Sequence, residues 1–172
     1  MNFVELFKDK SIKAKERTEH LAHWLMDEPD ELHKLINFAT RSKEVEKATC
    51  IEAMELATRA QPEIVDESCF KYLSQTLTEK APRVKWEAAR VIGNTAHLHS
   101  SHLDTAIKNL LINSEHIGTV VRWSAAYALG EIVKLKTKHQ KDLIAAIEAI
   151  ILREEKNSIK KIYTTALKKI KL

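Results

Sequence analysis

The sequence predicts an all-α chain, an α-solenoid of about four to five antiparallel helix pairs, and three observations predict it. Gly and Pro are scarce, 3 of each in 172 residues, too few for a turn-rich β fold. Apolar residues recur at helical spacing, as in Leu103, Ile107, Leu110 and Leu111, or Leu143, Ala146, Ile147, Ile150 and Ile151. The chain also repeats itself. VKWEAARVIGNTAHL at 84–98 and VRWSAAYALGEIVKL at 121–135 align without a gap at a shift of 37 residues. Val84/Val121, Trp86/Trp123, Ala88/Ala125, Ala89/Ala126, Gly93/Gly130 and Leu98/Leu135 are identical. A period of this length is one helical hairpin, the sequence sign of stacked helix pairs.

The elements follow in order. Helices are predicted over 12–27, 30–41, 44–60, 63–79, 82–98, 101–114, 118–136, 139–154 and 157–171. Pro29, Pro62 and Pro82 stand at or near helix starts, where a missing N–H is tolerated. Asp30 and Ser101 are the expected caps. The links are short, as between antiparallel neighbours. The repeat continues weakly downstream, a shift of 38 laying Ile159 on Val121, Ala166 on Ala128 and Leu167 on Leu129. Upstream, a shift of about 39, which a slip of one would alter, places Val45 on Val84, Cys50 on Ala89 and Ala53 on Ile92. The whole of 1–172 reads as one domain, with 1–41 a divergent N-terminal cap and first helices and 42–172 the clearer repeats. A polar outer cap is what the end of a stack needs.

The pattern V-[KR]-W-x-A-A-x-x-[IL]-G at 84–93 and 121–130 resembles the second helix of a HEAT repeat. The resemblance implies a HEAT-like superhelix whose second helices line a concave surface. At about 100° per residue, Val84, Ala88 and Ile92 define the core side of their helix. Trp86, Arg90, Gly93 and His97 point the other way, as do Trp123, Tyr127, Gly130 and Lys134 in the next unit and Lys161, Thr165 and Lys168 in the last. On the concave face the resemblance therefore implies a binding surface of Trp86, Arg90, His97, Trp123, Tyr127, Lys134, Lys161 and Lys168. Its two indoles would emerge side by side. Trp, Tyr and Arg are the side chains that dominate binding energy at interfaces. Gly93 and Gly130 serve either a partner's backbone or the packing of neighbouring helices. Lys85, Arg122 and Lys160 fall at the core's edge and read as hydrogen-bonding residues between repeats.

Composition narrows the function. No Gly-rich phosphate loop, HExxH or G-x-S-x-G stands in the sequence. Cys50 and Cys69 form no CxxC and read as buried thiols. HLHSSH at 97–102 and the His20/His23 pair lack the partners of a metal site, so neither a metal nor a cofactor is expected. Glu154 and Glu155 read as a solvated ion-pair face, and Glu87 and Glu131 as groove-rim residues. The N-terminus is charged almost at once and no segment is apolar enough to span a bilayer, so a cytoplasmic chain without membrane contact is expected. Residues 1–80 carry 12 Lys and Arg against 16 Asp and Glu, and residues 81–172 carry 16 against 8. The expected function is a non-catalytic protein-interaction scaffold holding a partner protein or peptide. The alternative is nucleic-acid binding through the basic C-terminal half, with kinship to HEAT-like DNA alkylation-repair glycosylases.

Overall fold

A computed structural model describes residues 1–170; the last position of the final predicted helix, 171, lies outside them. Within these residues the chain forms ten α-helices and no strand: α1 (Phe3–Lys8), α2 (Ala14–Asp27), α3 (Leu32–Arg41), α4 (Glu44–Thr58), α5 (Glu67–Thr76), α6 (Pro82–Thr95), α7 (Asp104–Asn113), α8 (Thr119–Val133), α9 (Gln140–Arg153) and α10 (Asn157–Ile170). Among the described residues no helix is long and apolar enough to cross a membrane. Nine of the ten are those the sequence predicts.

The tenth, α1, is one and a half turns long, too short to show a period. Tertiary contacts hold it. Phe3 packs on Trp24 and Phe38, and Phe7 on Phe38, with ring centroids 5.1 to 5.3 Å apart. Arg17 donates to the carbonyls of Leu6, Asp9 and Ile12, closing the link to α2. Pro82 opens α6 at its first turn, whereas Pro29 and Pro62 open short 3-10 turns ahead of α3 and α5. Asp30 and Ser101 do not cap. Asp30 lies inside such a turn, and α7 starts after Leu103. Asp66 caps instead, its carboxylate accepting from the Cys69 N–H at 2.8 Å.

The helices form two layers. α2, α4, α6, α8 and α10 pack one directly on the next. α3, α5, α7 and α9 cover them from one side, and only α5 and α7 pack extensively on each other. A close-packed layer beneath a splayed one bends the stack towards the closer side, so the even-numbered helices form the inner, concave wall. They approach closely because they meet through small side chains: Ala88, Ala89 and Gly93 in α6, and Ala125, Ala126 and Gly130 in α8, are all buried.

Burial fixes the register of the repeat. Each buried position of α6 has a buried counterpart in α8 at a shift of 37. The buried residues Ala48–Ile51, Ala53–Glu55 and Ala57–Thr58 in α4 match buried positions of α6 and the turn after it best at a shift of 38, a slip of one from 39, with Ala48 alone falling on a half-buried residue, Trp86. Lys47 thus corresponds to Lys85, and Glu55 to Gly93. The slip arises because α4 has no Val-Lys-Trp sequence to align.

The corrected register exposes a ladder. Lys47 pairs with Glu79 at 2.9 Å. Lys85 donates to Leu77 O and Asn113 Oδ1. Arg122 donates to His116 O and grips Glu154 through Nε and Nη2 at 2.9 and 3.3 Å. In each case a cation near the start of an inner helix reaches the C-terminal end of the outer helix in the next repeat, where unsatisfied carbonyls also favour positive charge. Lys85 and Arg122 thus play the inter-repeat role expected of them. Glu154 does not lie on a solvated face. It is buried, and it ends α9. Burial works to raise its carboxyl pKa, but Arg122 and the Lys156 N–H hold it below the ordinary 4.5.

Arg122→Ala leaves the buried Glu154 charge without its partner and is expected to destabilise the fold by about 3 kcal/mol in urea unfolding at pH 7. Because Glu154 has a lowered pKa in the fold, its contribution is complete above the ordinary carboxylate value and lost as pH falls through the folded one. The gap between Arg122→Ala and wild type should therefore close on acidification below 4.5.

Candidate functional site

One structural position organises the inner wall. Arg90, Tyr127 and Thr165 are equivalent in α6, α8 and α10, and each faces a seat on the preceding inner helix: Glu55, Gly93 and Gly130 respectively. At the first seat Arg90 pairs with Glu55 at 3.0 Å and with Glu87 at 3.3 Å. Arg59 holds both oxygens of the same Glu55 carboxylate at 2.8 Å. At the second seat the Tyr127 ring lies on Gly93 so closely that a Cβ there would collide with it. At the third no ring lies on Gly130, whose nearest neighbours across the interface are Ala166 and Ile162; Thr165 lines the cleft beside it.

Polar bonds tie the first two seats together. The Tyr127 hydroxyl donates to Asn94 Oδ1 at 2.6 Å. Asn94 Nδ2 donates to Glu55 O at 3.2 Å and Thr58 Oγ1 at 3.0 Å. One amide thus links α4, α6 and α8 and holds the Tyr127 hydroxyl. Trp123 stacks with the Tyr127 ring, centroids 6.2 Å apart and planes 11° from parallel. Trp123 is 38% exposed, the largest aromatic surface on this wall.

Two clefts flank Tyr127. A cleft of about 220 Å³ is lined by Glu55, Arg59, Arg90, Asn94, Trp123 and Tyr127. A second, of about 330 Å³, lies between α8 and α10, floored by Gly130, Ile162 and Ala166 and rimmed by Lys134, Lys161 and Lys169. Lys134 reaches Glu131 at 2.6 Å.

The expected residues divide accordingly. Arg90, Trp123 and Tyr127 come together at the first cleft, and Tyr127, Lys134 and Lys161 at the second. Lys168 is exposed on α10 but does not line that cleft. His97 is exposed in the 3-10 turn that follows α6, beyond the reach of a helical-angle projection. Trp86 lines neither cleft. It is half-buried, and its indole N–H donates to Glu87 at 2.8 Å. Glu87 is not a rim residue but buried. Burial pushes its carboxyl above the ordinary 4.5 against the pull of Trp86 and Arg90. Gly93 belongs to packing, not to a partner's backbone. His99, expected in an unremarked loop, is buried, stacked on Phe70 with Nε2 2.8 Å from Val65 O. The sequence signals that reasoning passed over were Asn94 and Glu55. Both sit one turn or less from the repeat's small residues, at positions where the repeat itself varies.

No family model matches the sequence, and no curated protein sequence matches it. Solved structures do. The chain is similar to a designed armadillo repeat protein in complex with the peptide (KR)4, at TM-score 0.72 and 16% identity over 98% of this chain and 80% of that one. It is similar to an engineered protein at TM-score 0.76 and 22% identity, covering 98% and 79%. It is also similar to computationally designed armadillo repeat proteins for modular peptide recognition, at TM-score 0.70 and 14% identity, covering 97% and 80%. The chain is a helical repeat solenoid.

Replacing Gly93 by Ala tests the second seat. Ala favours a helix over Gly by about 1 kcal/mol, yet the collision with Tyr127 should outweigh this and lower stability by about 1–3 kcal/mol. Gly93→Ala combined with Tyr127→Ala should recover the helical gain and exceed Tyr127→Ala alone in thermal unfolding.

Proposed function

We propose that this chain is a non-catalytic, HEAT-type interaction scaffold that holds an extended segment of a partner protein along its inner wall. The observation that carries this reading is the Trp123–Tyr127 pair. Two large aromatic faces stand together on a concave surface, one of them 38% exposed and the other fixed by Gly93 and Asn94. Immobile aromatics lose little conformational freedom when a partner covers them, so the apolar area they offer is realised as affinity. Arg90 and Arg59 stand beside them as planar donors, with Glu55 holding both in place. One similar designed protein is in complex with the peptide (KR)4 and others are designed for modular peptide recognition, and a peptide is the partner whose dimensions suit a groove one helix stack wide.

A random-peptide display library panned against the chain tests this. Selected peptides should bind Trp123→Ala at least tenfold more weakly, about 1.4 kcal/mol. The same variant should melt close to wild type, because Trp123 stands 38% exposed at the surface and outside the buried core. Equal binding by the variant would place the site elsewhere. A cooperative loss of fold would make Trp123 a structural residue.

A further inference from the structure

We infer that the cleft between α8 and α10 is an open socket for one bulky apolar side chain of an acidic peptide segment. This rests on the peptide-binding reading above and names the partner's chemistry. The socket is the third member of a series whose first two members are filled from within. Arg90 fills the seat at Glu55 and Tyr127 the seat at Gly93. Thr165 lays no ring on Gly130, which is buried against Ala166 and Ile162, and a cleft stays open beside it. The contrast shows in what an added Cβ meets: the Tyr127 ring at Gly93, but at Gly130 only Ala166 Cβ at 3.4 Å and Ile162 Cγ2 at 3.6 Å. The space left is about 330 Å³, with Tyr127 as one wall and Ile162 and Ala166 in the floor. The preceding unit shows that a ring fits such a seat, because it keeps one there.

Charge selects the segment that carries the ring. Lys161, Lys168 and Lys169 stand exposed on α10, and among the described residues the only carboxylate lining the cleft, Glu131, is held by Lys134. On the first cleft the cations Arg59 and Arg90 are already neutralised by Glu55 and Glu87. The uncompensated positive field is therefore at the α10 end. It attracts an acidic chain and repels a basic one, the opposite sign to the (KR)4 peptide held by the similar designed protein.

Fluorescence anisotropy with three fluorescein-labelled peptides, EEDFDEE, EEDADEE and KKRFRKK, provides the test at about 50 mM salt. Wild type should bind EEDFDEE at least tenfold more tightly than either of the others. Thr165→Tyr places in α10 the ring that Tyr127 supplies in α8, at an exposed position. It should erase the preference for Phe over Ala while leaving the weaker charge-driven binding. Lys161→Glu with Lys169→Glu, both surface changes, should weaken both acidic peptides at least tenfold. The inference is overturned if KKRFRKK binds as tightly as EEDFDEE, or if Thr165→Tyr keeps a wild-type helical signal and an intact Phe preference. The two readings fail separately. Library peptides that depend on Trp123 but ignore Thr165→Tyr would leave the groove standing and remove the socket.

Discussion

The seating of Tyr127 on Gly93 is the contact on which the inner wall depends. A residue with any side chain at 93 would drive α8 away from α6 or expel the ring. With Gly there, a bulky aromatic lies flat between two helices and still allows them to approach through Ala88, Ala89, Ala125 and Ala126. Close approach of the inner helices sets the curvature, and curvature turns a row of helices into a groove. The same contact removes the freedom of Tyr127 and, through Asn94, couples it to α4. Packing of the inner wall and presentation of its aromatic surface are thus one event in this molecule.

The ladder of Lys47, Lys85 and Arg122 works on the other edge of each inner helix. Each cation satisfies groups at the end of an outer helix, and each reaches forward by one repeat. Stability of a stack is the sum of units and of interfaces between them. These bonds belong to the interface term, and they are placed where splayed outer helices leave polar ends to satisfy. The partner at the end of the next outer helix changes from Glu79 to Asn113 to Glu154, so the geometry persists while its chemistry varies.

The architecture was legible because helical periodicity and the 37-residue repeat are properties of many residues at once. An error at one position does not disturb them. That Arg90, Trp123 and Tyr127 share one face was legible for the same reason, since a helical angle needs only a correct core direction. What escaped was pairwise. The angle that sends Trp86 and Trp123 outward says nothing of neighbouring helices, and Trp86 turned to Glu87. Gly93 faced outward from its own hairpin and inward on the next. Glu154 looked like one of a solvated pair because its partner, Arg122, lies 32 residues away in sequence. α1 is fixed by aromatic contacts to α2 and α3, which no local period announces.

The inner wall changes character along its length, from the compensated charges around Glu55, through the aromatic pair on α8, to the lysines of α10. An extended ligand lying along it would meet rigid aromatic area at its middle and unbalanced positive charge at one end. Amide chemical-shift mapping of the labelled chain titrated with EEDFDEE examines this most directly. The account predicts that the largest changes fall together on Gly130, Lys161, Thr165 and the Trp123 indole. Changes concentrated on α5, α7 and α9, with the inner helices silent, would contradict it.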